Sequence, residues 1–163
     1  MLESVKSAGQ RVVVTGLGAL TPLGHSVTET WGNLVKGRSG IDFITLFEAG
    51  HLSVRFAGEV KNFDPLAYLS VKEVRRMARC TQFAIPTAFQ AMTDAGLSYP
   101  LPDELGQRCG VLLGTGMGGF DRAEQGIKVH LEQGLHKVNP FSLPASLPNL
   151  STYHVCVKLN AQG

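Results

Sequence analysis

The sequence predicts an α/β chain with a mostly parallel sheet and helices on both of its faces. Three observations carry this. Residues 11–16 (RVVVTG) and 109–113 (CGVLL) are short apolar runs without polar alternation, which is how strands buried on both faces read. The segments between and after them show helical periodicity. The 163 residues are 44% hydrophobic and 17% charged, enough for one domain with a real core and too apolar for disorder.

In chain order, residues 1–10 have no apolar segment and are expected to be an N-terminal extension, with the domain spanning 11–163. The first strand closes at Gly16-Leu17-Gly18, followed by a turn-rich loop to Gly24. Its opening T-G matches the short-chain dehydrogenase pattern for two letters before Leu20 and Pro22 break it. Ser26 and Glu29 form a capping box, Val27, Trp31, Leu34 and Val35 recur at helical spacing, and Gly37 stops the helix. Trp31 is expected in the core. Residues 52–60 alternate with period two, Leu52, Val54, Phe56, Gly58 and Val60 against Arg55 and Glu59, predicting a strand with its charged side in solvent. Asp64-Pro65 opens a short helix.

Ser70 and Glu73 form a second capping box, after which one long amphipathic helix is predicted to Gly96, kinked or divided at Pro86. Lys72, Arg75, Arg76 and Arg79 then make one positive stripe at i, i+3, i+4 and i+7. Cations near a helix N-terminus oppose the macrodipole, so the stripe is either a solvated face or the seat of an anionic partner. Residues 120–133 predict a helix weakened by Gly126. Residues 139–148 predict a rigid apolar loop with three prolines, packed into a pocket or a partner subunit, and residues 149–160 a last helix with Leu150, Val155 and Leu159 inward.

The stretch that organises the chain is residues 108–120, where Gly114, Gly116, Gly118 and Gly119 surround Met117. Glycines so dense allow close approach, and one long thioether among them reads either as a pocket wall or as core filler. Gly114, Gly116 and Gly119 also satisfy the dinucleotide fingerprint, but the acidic residue expected about twenty positions on is missing and Asn139-Pro140-Phe141 stands there. A net charge of +2 leaves no global nucleic-acid footprint. No stretch reaches the roughly 18 apolar residues of a membrane span. Cys80, Cys109 and Cys156 lack C-x-x-C spacing, the five histidines lack metal spacing, and a soluble, reduced, cytoplasmic protein without metal or cofactor is expected.

Taken together, residues 12–24 (VVVTGLGALTPLG), 37–41 (GRSGI), 56–58 (FAG), 110–119 (GVLLGTGMGG) and Asn139-Pro140-Phe141 with Asn149 resemble a β-ketoacyl-acyl-carrier-protein synthase of the type II elongating group. The resemblance implies the N-terminal half of a thiolase-like fold, a homodimer, no cofactor, and an acyltransferase that condenses an acyl thioester with malonyl carrier protein in fatty-acid elongation. It also implies that the nucleophilic cysteine and two catalytic histidines lie beyond Gly163, so that these 163 residues alone are inactive and hold no catalytic residue; they are also expected to be poorly soluble, because the strands at 11–16 and 109–113 lack covering layers and edge partners. None of the three cysteines has the nucleophile's context. By resemblance Met117 lies at the bottom of the acyl pocket, and Phe141, Ser142 and Leu143 match a segment reaching that pocket from the neighbouring subunit. Lys72, Arg75 and Arg76, with Lys137, match positions that meet acidic acyl carrier protein. Ala78 and Asn160-Ala161-Gln162 depart from the family pattern, and Ser142 replaces an aromatic of some members. The alternatives are a non-catalytic, chain-length-factor-like partner, a polyketide ketosynthase, or a nucleotide-dependent oxidoreductase built on the glycine run.

Overall fold

The packing centres on α3 (Arg79–Asp94), the longest helix, laid against α7 (Leu150–Leu159). A computed structural model describes residues 11–163; the expected extension at 1–10 lies outside the described residues. Ile85 of α3 is fully buried, and Met92, Leu69, Met77, Leu101, Val155 and Leu159 close around it. The end of α7 is fixed by Asn160 in the left-handed conformation at φ 57°, whose side-chain amide donates to Leu101 O and Asp103 Oδ1 at 2.9 Å each. The remaining helices are α1 (Val27–Val35), α2 (Val71–Arg76), α4 (Asp103–Gly106), α5 (Phe120–Gln133) and α6 (Ser142–Ser146). None is long and apolar enough to cross a membrane.

The apolar runs at 11–16 and 109–113 form no ladder. The one sheet among the described residues is antiparallel and two-stranded, β1 (Ile41–Phe43) with β2 (Phe56–Gly58). Val12 is 93% and Leu112 98% exposed, against the expectation of strands covered on both faces. Residues 16–19 instead lie directly on α3, held by side chains of that helix: Leu17 N–H donates to Asp94 Oδ2 (2.8 Å) and Ala19 N–H to Gln90 Oε1 (3.0 Å). Glycine is required there, since a Cβ on Gly16 would stand 2.2 Å from Ala91 O and one on Gly18 2.0 Å from Thr87 O.

Four local expectations are corrected. The helix predicted from Ser70 to Gly96 breaks at Met77 and Ala78, both extended, so α2 and α3 are separate and Arg79 opens the second. The break is stabilised from a distance: Arg122 of α5 and Gln82 of α3 both donate to the carbonyls of Val74 and Met77 that end α2. Pro86 sits buried inside an undivided α3. Second, Trp31 is not core; it is 64% exposed, and Leu34 and Val35 on the same side of α1 are exposed too. Third, residues 52–60 yield strand only at Phe56–Gly58, and the expected faces hold for exposed Arg55 but fail at Phe56 and Glu59. Phe56 is exposed, whereas Glu59 is 8% exposed, because its carboxylate accepts from Thr45 N–H, Thr45 Oγ1 and Leu46 N–H. Those bonds also hold its carboxyl below the ordinary range, the Thr45 hydroxyl foremost. Fourth, the proline-rich loop contains α6, which packs on α5 where Gly126 leaves room for Ser142.

Both serines cap their helices, but only one of the two expected capping boxes closes. Ser70 and Glu73 complete a reciprocal box. Ser26 accepts from Glu29 N–H, while the Glu29 carboxylate reaches His25 N–H at 2.8 Å. The helices at 120–133 and 150–159 fall where periodicity placed them. A 3-10 turn, Pro65–Ala67, is capped by Asp64.

Candidate functional site, an apolar groove and a basic face

Between the two unpaired runs lies an open apolar groove of about 710 Å³. Its floor is one face of α3, including Ala84, Ala88 and Met92, with Val155 of α7, and its walls are residues 15–16 and 109–118. Met117 lines it and is 69% exposed. The loop that carries Met117 is set by its glycines. Gly118 has φ +60°, and a Cβ on Gly119 would stand 2.0 Å from Ala145 O. Gly119 N–H donates to Ser146 O at 3.2 Å, so α6 lies flat against the loop. At the other edge, Gly163 N–H donates to Cys109 O (3.0 Å) and Gln162 N–H to Gly106 O (2.8 Å), aligning the last residues with the start of the 109–113 run.

Phe141, Ser142 and Leu143 do not line this groove in the same chain. Phe141 carries the Arg76 guanidinium on its ring, 4.1 Å from the centroid. Ser142 faces Gly126, and Leu143 is exposed.

The positive residues do gather on one side. Lys72, Arg75 and Arg76 border a concavity of about 400 Å³ with Val71, Asn139 and Phe141. Arg75 and Lys137, which sits in a 3-10 turn (Leu135–Lys137), share a second one of about 290 Å³. None of these four is within 4 Å of a carboxylate among the described residues. Arg79 is elsewhere: it donates to Val60 O at 3.0 Å and lies over Phe83. Because α2 is short, Arg75 and Arg76 occupy its last turn, where the macrodipole favours cations. The destabilisation expected of the stripe is therefore absent for them, and the case for an anionic partner rests on their clustering.

Sequence reasoning missed what supports this face. Lys158 of α7 meets Glu73 of α2 at 2.6 Å and, with Ser70, holds the Glu73 carboxyl down at about 2. Half-buried His154 on α7 has its imidazole pKa lowered by burial, with Glu73 opposing the shift. Glu73 was legible as a capping residue, but no local pattern links it to Lys158. Likewise nothing near Arg122 announces its role at the end of α2. Cys80 and Cys109 line the groove, and Cys80 Sγ lies 3.5 Å from Ser151 Oγ; among the described residues, none of the three cysteines has a histidine as a hydrogen-bond partner.

Comparison with known proteins gives this geometry a context. Residues 9–163 match the family described as the β-ketoacyl synthase N-terminal domain. The chain is 42% identical over 157 residues to 3-oxoacyl-[acyl-carrier-protein] synthase 2 of Staphylococcus aureus strain N315, covering 96% of this chain and 37% of that protein. It is 40% identical over 154 residues to the Vibrio harveyi protein of the same name, covering 94% and 37%. The chain thus spans little more than a third of these relatives. Among solved structures, the ishigamide ketosynthase/chain length factor matches with TM-score 0.79 and 28% identity over 91% of this chain and 36% of that one. A β-ketoacyl synthase from Burkholderia phymatum STM815 matches with TM-score 0.77 and 24% identity over 95% and 38%, a likeness of fold. This chain therefore belongs to the β-ketoacyl synthase family and corresponds to its N-terminal domain.

Proposed function

We propose that this chain is the amino-terminal part of a 3-oxoacyl-[acyl-carrier-protein] synthase that elongates fatty acids, with residues 11–163 an incomplete ketosynthase domain. The observation that carries the reading is the 42% identity to a synthase of that name across 96% of the chain. In this reading the reaction has three steps: an acyl group passes from its carrier thiol to a cysteine and frees that thiol, malonyl carrier protein loses carbon dioxide, and the resulting carbanion attacks the acyl-cysteine thioester and expels the cysteine thiolate. Residues of this chain do not touch the reacting atoms. Met117 limits the depth of the acyl groove. Lys72, Arg75, Arg76 and Lys137 receive an acidic acyl carrier protein, and Phe141, Ser142 and Leu143 meet the second subunit of a cytoplasmic homodimer.

The remainder of such a protein supplies what the groove lacks. A mostly parallel sheet needs a partner beside residues 109–113, and the Gly163-to-Cys109 hydrogen bond supports a following strand entering there. That strand would cover the apolar face of α3 and carry the nucleophile, while Cys80, Cys109 and Cys156 stay structural. A carrier partner is also compatible with a structure of the same fold, a type II polyketide acyl-carrier protein in complex with its ketosynthase, at TM-score 0.67 and 18% identity over 92% of this chain and 39% of that one. A second reading, a non-catalytic chain-length partner, draws on the likeness to the ishigamide ketosynthase/chain length factor. The test is turnover of the full-length protein with acyl and malonyl carrier proteins. Formation of 3-oxoacyl carrier protein supports the enzyme. Activity that appears only when a second ketosynthase is added supports the partner.

A further inference from the structure

We propose that Arg76, in addition to the carrier-receiving role it shares with Lys72 and Arg75, is a positioning residue that sets the acyl groove through Phe141. Arg76 is the one cation of the docking face that lies on an aromatic ring, its Cζ 4.1 Å from the Phe141 centroid. The planar guanidinium suits such stacking better than an ammonium does. Phe141 is the N-cap residue of α6, and no side-chain hydrogen bond caps that helix. The turn that precedes it is built by Asn139, whose Oδ1 accepts from Phe141 N–H (2.9 Å), whose carbonyl accepts from Ser142 N–H (2.9 Å), and whose amide donates to Arg75 O (3.3 Å). The other end of α6 lies on the loop that holds Met117: Gly119 N–H binds Ser146 O, and no space for a Cβ separates Gly118 from Pro148 or Gly119 from Ala145.

A continuous run of contacts thus joins the docking helix to the groove wall, from Arg76 to Phe141, along α6, to Gly118 and Gly119 beside Met117. Five residues of α6 form little more than one turn, and so short a helix keeps its place by its contacts rather than by its own stability. Loosening Phe141 therefore frees the element against which the Met117 loop is set. This inference rests on the reading of that groove as the acyl site.

Two measurements on the full-length protein separate the clamp from the functional reading. The first is amide hydrogen exchange over residues 142–148 and 116–119 in Arg76→Lys, Phe141→Leu and Arg75→Lys. Arg76→Lys and Phe141→Leu are expected to raise exchange there about two- to fivefold, the worth of an exposed cation–π contact, whereas Arg75→Lys does not. The second is the chain-length distribution of condensation products. Arg76→Lys, which keeps the charge, is expected to broaden it, Phe141→Leu to do the same, and the double variant to go no further than either single one. Raised exchange with no product from the wild type would leave the clamp standing and remove the condensation reading. Unchanged exchange in Arg76→Lys, or an unchanged product distribution from an active Arg76→Lys enzyme, would overturn the clamp.

Discussion

Replacing Gly119 with alanine tests the packing that shapes the groove. An added Cβ would stand 2.0 Å from Ala145 O and 2.7 Å from the Ala78 Cβ, so α6 must retreat by roughly 1.4 Å to restore ordinary contact. Both neighbours are buried and one is backbone, so neither can swing aside. Overpacking of this kind costs about 1–3 kcal/mol, and losing the Gly119-to-Ser146 hydrogen bond adds about 1 kcal/mol. Backbone strain contributes little, since Gly119 has φ −91°. Urea denaturation of the full-length protein should therefore show Gly119→Ala less stable by about 2–4 kcal/mol. Gly32→Ala serves as the control: it lies within α1 with no atom within 4 Å of its Cβ position, and should be neutral or stabilising by up to about 1 kcal/mol. If Gly119→Ala were as stable as the wild type, α6 would not lie against the glycine loop, and the path from Met117 to the docking face would be broken.

Three further outcomes are expected. Met117→Phe should shorten the longest acyl chain accepted and Met117→Ala should extend it, each methylene being worth about 0.8 kcal/mol or roughly fourfold in kcat/KM; identical product lengths in both would make Met117 mere filler. Reversing Lys72 and Arg75 to glutamate should lower kcat/KM for carrier-bound substrates by about tenfold or more, with a smaller loss on acyl-coenzyme A, and added salt should bring the wild type toward the variant. Equal losses on both substrates would indicate a damaged fold. The Glu73 carboxyl, held at about 2 in the folded chain, contributes stability that is complete above its unfolded value near 4.5 and fades as pH falls through 2. His154, also lowered, destabilises the fold as pH drops below about 6.5, because the unfolded chain binds the proton more readily. Lys158→Met should remove about 1 kcal/mol at pH 7 and flatten the stability profile below pH 4.5; an unchanged profile would show that the pair does not tie α2 to α7.

What the sequence made legible was mainly local. Ser26, Ser70 and Asp64 cap their helices because capping depends on groups two or three residues apart, and Gly37 and Gly96 end theirs at φ +66° and +68°. The break at Met77 was illegible because the apolar period runs through it, and what favours it is Arg122, 45 residues away. Glu59 was assigned to solvent because alternation cannot foresee the Thr45 and Leu46 donors that bury it. The runs at 11–16 and 109–113 were read as buried strands from composition, and composition records the surroundings a segment suits. Their exposure here, with that of Trp31, Leu34 and Val35, marks apolar surface suited to cover that the described residues do not provide. For the candidate site, the glycine run points to Met117 and helical spacing to Lys72, Arg75 and Arg76; Lys137 enters only through the family resemblance, and the seat of Arg76 on Phe141 has no local signal.

The most direct measurement is to load the full-length protein with an acyl group from acyl carrier protein, digest it, and locate the thioester by mass spectrometry. The proposed function predicts one acylated cysteine in the part of the protein beyond residue 163, and unmodified Cys80, Cys109 and Cys156. An acyl group on any of those three, or no acylated cysteine at all, would contradict it.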